Sequence, residues 1–269
     1  MALVPVAAIG DNTIDMYTGA DSHSFVGGNA VNVAVQLTRL GRPARYFGAV
    51  GADPAGQRIR QALAARGVDT VGLVVLPGHT STSTIRVDAD GVRHFEHEDF
   101  AVCDDYVPTA VALEEAAACG AAHLGLLPDA EPVRRYLAAR GVLVSQDCGV
   151  SRPPGRLTHL DIAFCSQEAA GRPPRDLAAE AIAAGARLAV VTRGAEGSLA
   201  FDGRHWWQAA AAPADVVDTT GAGDSYAAAF LHARLGGADV DQAMTAAALH
   251  AALACAHPGG FPQEALRTA

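Results

Sequence analysis

The sequence predicts an α/β protein with a doubly wound, mostly parallel β-sheet flanked by helices and a small β-sheet attached to it. First, short apolar runs of strand length alternate with segments of helical period along almost the whole chain. Second, polar turns containing glycine follow several of the apolar runs, at 10–15, 27–29 and 51–56. Third, polar and apolar residues alternate at about 80–100 in the pattern of a β-hairpin.

Composition narrows the class of protein. The chain has 269 residues, of which 50% are hydrophobic and only 6% aromatic, so it can bury a large core of alanine, valine and leucine. We therefore expect a single domain over 1–269, with the small β-sheet as an appendage. The net charge of −9 argues against a nucleic-acid-binding surface.

The cysteines and the start of the chain indicate the compartment. Five cysteines are widely spaced and form no CxxC pair, which is typical of reduced thiols and not of a disulfide frame or a zinc site. The sequence enters a strand at 3–9 without a basic region and a cleavage site, and no apolar run reaches the length of a membrane span. We expect a cytoplasmic protein with no membrane partner.

The strand at 3–9 is followed by the first candidate site residues, Asp11 and Asp15. Open α/β sheets bind their ligands at the carboxyl ends of strands, and carboxylates are strong acceptors for hydroxyl groups. Both residues are therefore candidates for holding the hydroxyl groups of a sugar. A polar turn without a ligand explains them equally well.

Paired glycines, Gly27 and Gly28, precede a helix predicted over 30–40. Glycine lets the backbone approach a ligand closely. Asn29 either caps the helix or contacts that ligand, and Asn32, on the first helical turn, can face the same ligand. A Gly-Gly-Asn run is a weak signal by itself.

The segments 16–26 and 80–100 are predicted to form the small β-sheet, with the hairpin turn at Asp90-Gly91. Its second strand contains His94 and His97. Two histidines without a third ligand are more often surface residues than a metal site.

The same strand carries an acidic run, Glu96, Glu98 and Asp99. Its sign and position suggest a contact with a cationic group of a ligand. A solvated strand edge is the more common explanation of such a run, and both interpretations stay open.

Helix and strand alternate through the middle of the chain. Helices are predicted at 110–118 and 131–139, and strands at 121–126 and 142–146. Asp147 ends the second strand on the ligand side of the sheet, where it either assists the site or is a solvated loop carboxylate. The strand, hairpin and helix that follow are predicted at 188–191, 198–207 and 240–255.

The most informative stretch is Asp218-Thr219-Thr220-Gly221-Ala222-Gly223-Asp224-Ser225, between a strand expected to end at Val217 and an apolar helix. Backbone N–H groups at the start of a helix lack partners and attract anions, and small residues leave room for one. A carboxylate in that position repels a passive phosphate ligand. The carboxylate of Asp224 is instead suited to act as a general base, beside amides that stabilise a phosphoryl group in transfer. A simple N-terminal cap is the alternative.

Two motifs resemble the signatures of the ribokinase-like (PfkB) carbohydrate kinases. The first is Gly27-Gly28-Asn29-Ala30 with Asn32, continued by Arg39-Leu40-Gly41, Val50-Gly51-Ala52-Asp53 and Gly67-Val68-Asp69. The second is the stretch 218–225. They occur in the order that the family shows, and the resemblance spans nearly the whole chain. It implies the ribokinase-like fold, with a small β lid at about 16–26 and 80–100 that closes over the sugar.

The resemblance also implies the reaction and the residues that perform it. ATP donates its γ-phosphoryl group to a primary hydroxyl, Asp224 is the catalytic base, and the amides of Gly221, Ala222 and Gly223 are catalytic donors. The sugar-binding residues implied are Asp11, Asp15, Gly27, Gly28, Asn29 and Asn32. The nucleotide-binding residues implied are Thr192, Arg193, Gly194, Gly197, Gly221, Gly223 and His250.

Metal ions follow from the same resemblance. Glu168 is expected to bind Mg²⁺ through water. Most relatives have an asparagine where this chain has Cys165, and a thiol is a poor ligand for a hard cation, so Ser166, Gln167 or water must take over that role. Asp218 and Thr220 match positions that bind a monovalent cation in several relatives, which implies K⁺ activation.

Within the family the chain resembles the fructoselysine 6-kinases and their relatives. The similarity lies in Ile9-Gly10-Asp11-Asn12 with Asp15, in Gly27-Gly28-Asn29-Ala30, in Trp206-Trp207-Gln208 and in the missing asparagine at Cys165. It implies phosphorylation of O6 of fructoselysine or a related fructosamine. The alternatives are a kinase for fructose, another ketose or a nucleoside, and a catalytically silent sugar or nucleotide sensor.

The partners expected are therefore a small-molecule sugar and ATP, without nucleic acid or membrane. The sequence leaves the oligomeric state open. The lid either pairs with a second copy, which gives a homodimer, or acts alone.

Overall fold

A computed structural model of the chain describes residues 3–18, 22–87, 93–149 and 155–267. The strands are β1 (Val6–Ile9), β2 (Thr13–Thr18), β3 (His23–Gly27), β4 (Ala44–Gly51), β5 (Asp69–Leu76), β6 (Thr82–Val87), β7 (Arg93–Asp99), β8 (Ala121–Leu124), β9 (Leu143–Asp147), β10 (Ile162–Ser166), β11 (Leu188–Thr192), β12 (Ser198–Phe201), β13 (Trp206–Ala209) and β14 (Leu266–Arg267). The helices are α1 (Asn29–Arg39), α2 (Pro54–Ala64), α3 (Ala110–Ala117), α4 (Glu131–Ala138), α5 (Gln167–Ala170), α6 (Pro174–Ala183), α7 (Ala222–Leu235) and α8 (Val240–Ala254).

Within the described residues, the larger sheet has nine strands in the order β13-β12-β11-β10-β9-β8-β1-β4-β5. The strands from β11 to β5 pair in parallel, and β12 and β13 pair antiparallel at one edge. The predicted doubly wound, mostly parallel sheet is confirmed.

Alternation along each strand divides the core into two layers. In β1, Val6 and Ala8 pack with α1, α2, α7 and α8, whereas Ala7 and Ile9 pack on the opposite face with α3, α4 and α6. Because successive strand residues point to opposite faces, a strand buried on both sides must be apolar throughout. This requirement explains the short, continuous apolar runs of the sequence.

Local signals fix several helix starts. The Asp53 side chain accepts a hydrogen bond from the Gly56 amide at 2.7 Å, and Pro54 occupies the first turn of α2. Asp239 and Gln242 form a reciprocal capping box at the start of α8. By contrast, Asn29 is the first residue of α1 and does not cap it; Gly28 is the N-cap residue.

The topology determines where a ligand binds. β1 lies between β8 and β4, so the chain winds outward from β1 in both directions. A crevice forms at the carboxyl ends of the strands where the winding direction changes. Asp11 follows β1, and Asp147 ends β9 at this edge of the sheet.

The smaller sheet has five strands within the described residues, in the order β14-β3-β2-β6-β7. Both segments predicted for it contribute strands, but it begins at Thr13, and β14 was not expected. The predicted turn at Asp90-Gly91 lies outside the described residues. Asp15 pairs with Ser83, and Ser83 pairs with Glu98, so these three residues form one row across the sheet.

One predicted strand is wrong. Val216 and Val217 were expected to end a strand, but the strand there, β13, ends at Ala209, and both valines are more than half exposed. The backbone amides of Val217 and Asp218 bond instead to the carbonyl of Cys255, at 2.8 and 3.1 Å. This loop thereby docks on the end of α8.

Within the described residues, no helix is long and apolar enough to cross a membrane.

Candidate active site

The glycine turn before α7 creates a group of free backbone donors. Gly221 is the N-cap residue with φ of 74°, and a Cβ there would lie 2.5 Å from the Cα of Gly260. Glycine is required because both the positive φ and the contact exclude a side chain. The Ala222 amide donates to the carbonyl of Thr219, whereas the amides of Gly221, Gly223 and Asp224 form no hydrogen bond to the described part of the chain. Of the expected donors, Gly221 and Gly223 are therefore free for an anion and Ala222 is not, and Asp224 adds a third free amide.

Asp224 lies on the first turn of α7, within reach of the first turn of α1. One carboxylate oxygen accepts a hydrogen bond from Asn29 Nδ2 at 2.6 Å, and the other from Asn32 Nδ2 at 2.7 Å. Burial and the charge of Asp147 raise the pKa of Asp224 to about 7, against the opposing effect of these two donors. A carboxylate with that pKa can accept a proton near neutral pH.

Asp147 lies beside Asp224 and shares a hydrogen-bond donor with it. Asn29 Nδ2 donates to Asp147 Oδ2 at 2.8 Å as well as to Asp224. Burial raises the pKa of Asp147 to about 6, and the charge of Asp11 adds to this effect. Sequence reasoning left the role of Asp147 open; its signal was its place at the end of a strand on the ligand side.

The two other carboxylates predicted to bind sugar differ from each other. Asp11 accepts hydrogen bonds from the amides of Asn29 and Leu126, at 2.8 and 2.9 Å, so it holds the start of α1 against the loop after β8. Asp15 is only 4% exposed and accepts no hydrogen bond from the described residues. Burial, followed by the charges of Asp224 and Asp11, raises the pKa of Asp15 to about 8. Asp15 therefore has no polar partner among the described residues. A ligand hydroxyl or a cation can supply one.

The glycines between β3 and α1 make room for these groups. A Cβ on Gly27 would lie 2.1 Å from a carboxylate oxygen of Asp15, and a Cβ on Gly28 would lie 2.4 Å from the Cα of Asn12. Gly28 also has φ of 100°. Both glycines are needed for packing whether or not a ligand approaches them.

A cavity of about 830 Å³ extends from Asp224 along the ends of β10 and β11 to α8. Its lining includes, among others, Asn29, Asp147, Thr192, Gly194, Gly197 and Gly223. The structure thus brings the base, the amides of Gly223 and Asp224 and the predicted nucleotide turn to one space of ligand size. Asp11, Asp15, Gly27, Gly28 and Asn32 lie outside its lining.

Three predicted nucleotide residues, Arg193, Gly221 and His250, do not line this cavity. The Arg193 guanidinium donates to the carbonyl of Glu196 at 2.5 Å, which closes its own turn. His250 lies on α8 with its carbonyl accepting from the Ser225 hydroxyl at 2.9 Å, while burial and the nearby charge of Arg39 lower the pKa of its ring. The part of the cavity wall that α8 forms consists instead of small residues such as Ala248, Ala251 and Ala252. The positions of Arg193 and His250 do not support the predicted contacts.

Glu168 fits the expected site for Mg²⁺. Its carboxylate is exposed on the cavity wall and lies so close to Gly194 that a Cβ there would come within 2.1 Å of it. Mg²⁺ bound with a nucleotide uses one or two carboxylates, phosphate oxygens and water. The described residues contain no group of three or more His, Cys, Asp or Glu residues that could hold a metal ion by themselves. Cys165 lines the cavity as well but supplies no hard ligand.

Asp218 and Thr220 do not fit a K⁺ site in this arrangement. Asp218 is fully buried and accepts hydrogen bonds from the Thr220 and Gly259 amides, each at 2.8 Å. The Tyr17 hydroxyl of the small sheet donates to it at 3.1 Å and lies 2.9 Å from the Thr220 hydroxyl. These donors already satisfy the carboxylate, so K⁺ activation stays a prediction that this geometry does not support.

Comparison with curated proteins shows relatives of nearly the same length. The chain is 34% identical over 243 residues to fructoselysine 6-kinase of Shigella flexneri, which covers 89% of this chain and 92% of the relative. It is 29% identical over 262 residues to a fructosamine kinase of Bacillus subtilis (strain 168), with coverage of 94% and 92%.

Solved structures show the same fold. Ribokinase of Arabidopsis thaliana, determined with ribose and ATP, superposes with a TM-score of 0.86 at 24% sequence identity and covers 96% of this chain and 94% of its own. The sequence model of the pfkB family of carbohydrate kinases matches residues 6–154 and 157–264. This match covers almost the whole chain and includes both glycine motifs. The chain therefore belongs to the pfkB family of carbohydrate kinases and is a phosphotransferase that acts on a sugar hydroxyl.

Proposed function

We propose that this kinase transfers the γ-phosphoryl group of ATP to O6 of a fructosamine, with fructoselysine as the preferred acceptor. The observation that carries the proposal is the row formed by Asp15, Ser83 and Glu98 across the small sheet. It places two carboxylates on the side of the site where the acceptor is expected. A fructosamine differs from plain fructose in its amine, which is cationic when protonated.

The proposed chemistry begins at Asp224. In its ionised form Asp224 removes the proton of the acceptor hydroxyl, which makes the oxygen a better nucleophile. The free amides of Gly221, Gly223 and Asp224 are the donors for the phosphoryl group and stabilise the charge on its oxygens. Mg²⁺ at Glu168, when bound with ATP, would offset charge on the phosphates. Asn29 and Asn32 hold Asp224 in place through the hydrogen bonds described above.

The sugar is expected between the small sheet and the start of α1. Asp15 is the main candidate for accepting hydrogen bonds from its hydroxyl groups, since this carboxylate is buried and lacks a partner in the described residues. Asp11 already accepts two backbone amides and mainly positions Asn29. The small sheet then acts as the lid that excludes water.

Within the acidic run, the structure favours Glu98 as the contact for the amine. Glu98 shares the row with Asp15, and partial burial, followed by the charge of Asp11, raises its pKa. Glu96 is paired with Arg86 at 2.6 Å, and Asp99 is bonded to His79 at 2.8 Å and to the Ala101 amide at 3.0 Å. A cationic amine beside Asp15 and Glu98 would reduce the repulsion between their charges.

An acceptor panel tests the proposal. ATP consumption is measured with fructoselysine, a second fructosamine, fructose, ribose and a nucleoside, each over a range of concentrations. We expect the highest kcat/KM with the fructosamines. An equal or higher value for fructose or for the nucleoside would overturn the acceptor assignment, and ATP consumption with none of the acceptors would favour the sensor alternative.

A further inference from the structure

Asp224 and Asp147 are connected through Asn29 to a buried histidine, His123, that no sequence motif identified. His123 lies in β8 and is fully buried. Its Nδ1 is 3.0 Å from the hydroxyl of Ser145, and its Nε2 is 3.1 Å from Oδ1 of Asn29. Asn29 is the residue whose Nδ2 contacts both Asp147 and Asp224. A continuous chain of hydrogen bonds therefore runs from Ser145 to the base.

The direction of each hydrogen bond follows from which groups can donate and which can only accept. Ionised carboxylates only accept, so the nitrogen of the Asn29 amide must face them and its oxygen must face His123. That oxygen needs a donor, which requires a proton on Nε2. Burial lowers the pKa of His123 to about 3, so the ring is neutral near pH 7. With the proton on Nε2, Nδ1 accepts the one proton of the Ser145 hydroxyl at 3.0 Å, in competition with the Ala122 carbonyl 3.2 Å from the same hydroxyl.

We propose that His123 is a positioning residue for phosphoryl transfer: its Nε2–H group fixes the Asn29 amide so that the amide nitrogen faces Asp147 and Asp224. Without this donor the Asn29 oxygen is left buried and unpaired, and the amide can turn over. The oxygen would then point at two carboxylates that repel it. Asp224 would lose one of its two side-chain donors, and its charged form would become less stable.

The inference rests on the proposed role of Asp224 as the base. A purely structural role for His123 is the alternative, since its ring also packs near Phe164 with 6.0 Å between the ring centres. The two roles differ in what they predict. Loss of packing lowers stability, whereas loss of the Nε2 donor changes the pH at which the base ionises.

The test compares His123→Leu with His123→Gln. The leucine removes both hydrogen bonds, while the glutamine amide can still donate to Asn29. The readouts are kcat/KM for the acceptor at saturating ATP from pH 5.5 to 9.5, the KM for ATP, and Tm. We expect the acid limb of His123→Leu to move up by about one pH unit, which lowers kcat/KM about fivefold at pH 7 and leaves it near the wild-type value above pH 9. His123→Gln should keep the wild-type acid limb.

An unchanged acid limb in a folded His123→Leu protein would overturn the inference, and so would equal shifts in both variants. The tautomer supplies a readout that needs no catalysis and no acceptor. Long-range ¹H–¹⁵N NMR spectra of the ¹⁵N-histidine-labelled wild-type protein should show His123 protonated at Nε2 from pH 6 to 8. Protonation at Nδ1 would contradict the inference even if His123→Leu does not fold. The Asp224→Asn variant separates these outcomes from failure of the proposed function. If that variant is active, Asp224 is not the base, and this conclusion does not depend on the results for His123.

Discussion

The side-chain amide of Asn32 donates a 2.7 Å hydrogen bond to Asp224 across 192 positions of the sequence. The donor lies on the first turn of α1 and the acceptor on the first turn of α7, so each glycine motif supplies one partner. Neither motif forms the site alone. The packing of α1 against α7 on one face of the sheet determines the position of the base.

The contact between Gly260 and Asn32 should therefore control activity. A Cβ on Gly260 would lie 2.3 Å from Asn32 Oδ1 and 2.4 Å from its Nδ2, so Gly260→Ala must displace the amide that holds Asp224. We expect kcat to fall about 10- to 100-fold. Gly155→Ala is the matched control, because the added methyl group there would have no atom of the described residues within 4 Å. Equal activity of the two variants would show that Asn32 does not need its present position.

The pH dependence of catalysis should follow the ionisation of Asp224. Its pKa is raised to about 7, and the base works only when ionised, so kcat/KM for the acceptor should rise with pH and level off above this value. The measurement uses saturating ATP and initial rates between pH 5 and 9. Constant kcat/KM across this range would mean that no group with this pKa removes the proton.

Acceptor preference should depend on Glu98. Glu98→Gln removes the charge that faces the amine, and we expect the ratio of kcat/KM for fructoselysine over fructose to fall about three- to tenfold. Glu96→Gln is the control, since it makes the same charge change on the same strand at a residue paired with Arg86. The role of Glu98 would be refuted if both variants kept the wild-type ratio.

The stability of the ligand-free protein should reflect the buried carboxyl of Asp15. Its pKa is raised from 3.8 to about 8, so the folded state retains a proton that the unfolded state has lost between these values. Stability from this group therefore falls as pH rises from about 4 to about 8. Asp15→Asn removes this loss. The Tm of the variant minus the Tm of wild type should therefore be larger at pH 8 than at pH 5, by at least about 2–4 °C. The same Tm difference at both pH values would contradict this assignment.

Much of the fold could be read from the sequence because its strands are buried on both faces. Runs such as Val6–Ile9 and Leu188–Thr192 are apolar almost throughout, which distinguishes them from amphipathic helices. The predicted strand at 216–217 was wrong because a pair of valines has the same propensity in an exposed loop. β14 was missed since two residues give no periodic signal.

The site was predicted in part, where short motifs concentrate its residues. Asp224, Asn29 and Asn32 come together as the two glycine motifs suggested. His123 and Ser145 were missed because the hydrogen bond between them joins neighbouring strands. The sequence does not show which residue a polar side chain inside an apolar run will contact. Arg193 and His250 stay predictions: neither lines the described cavity, and sequence position alone does not show where a side chain points.

The most direct test of the account is the turnover of Asp224→Asn with fructoselysine. The amide keeps the shape of the carboxylate but cannot take the proton, so we expect the variant to fold, to bind ATP with nearly wild-type affinity, and to lose on the order of 10²–10⁴-fold in kcat. Calorimetry with ATP and a coupled assay of ATP consumption measure the two quantities on one preparation. Turnover within a few fold of wild type would contradict the assignment of Asp224 as the catalytic base.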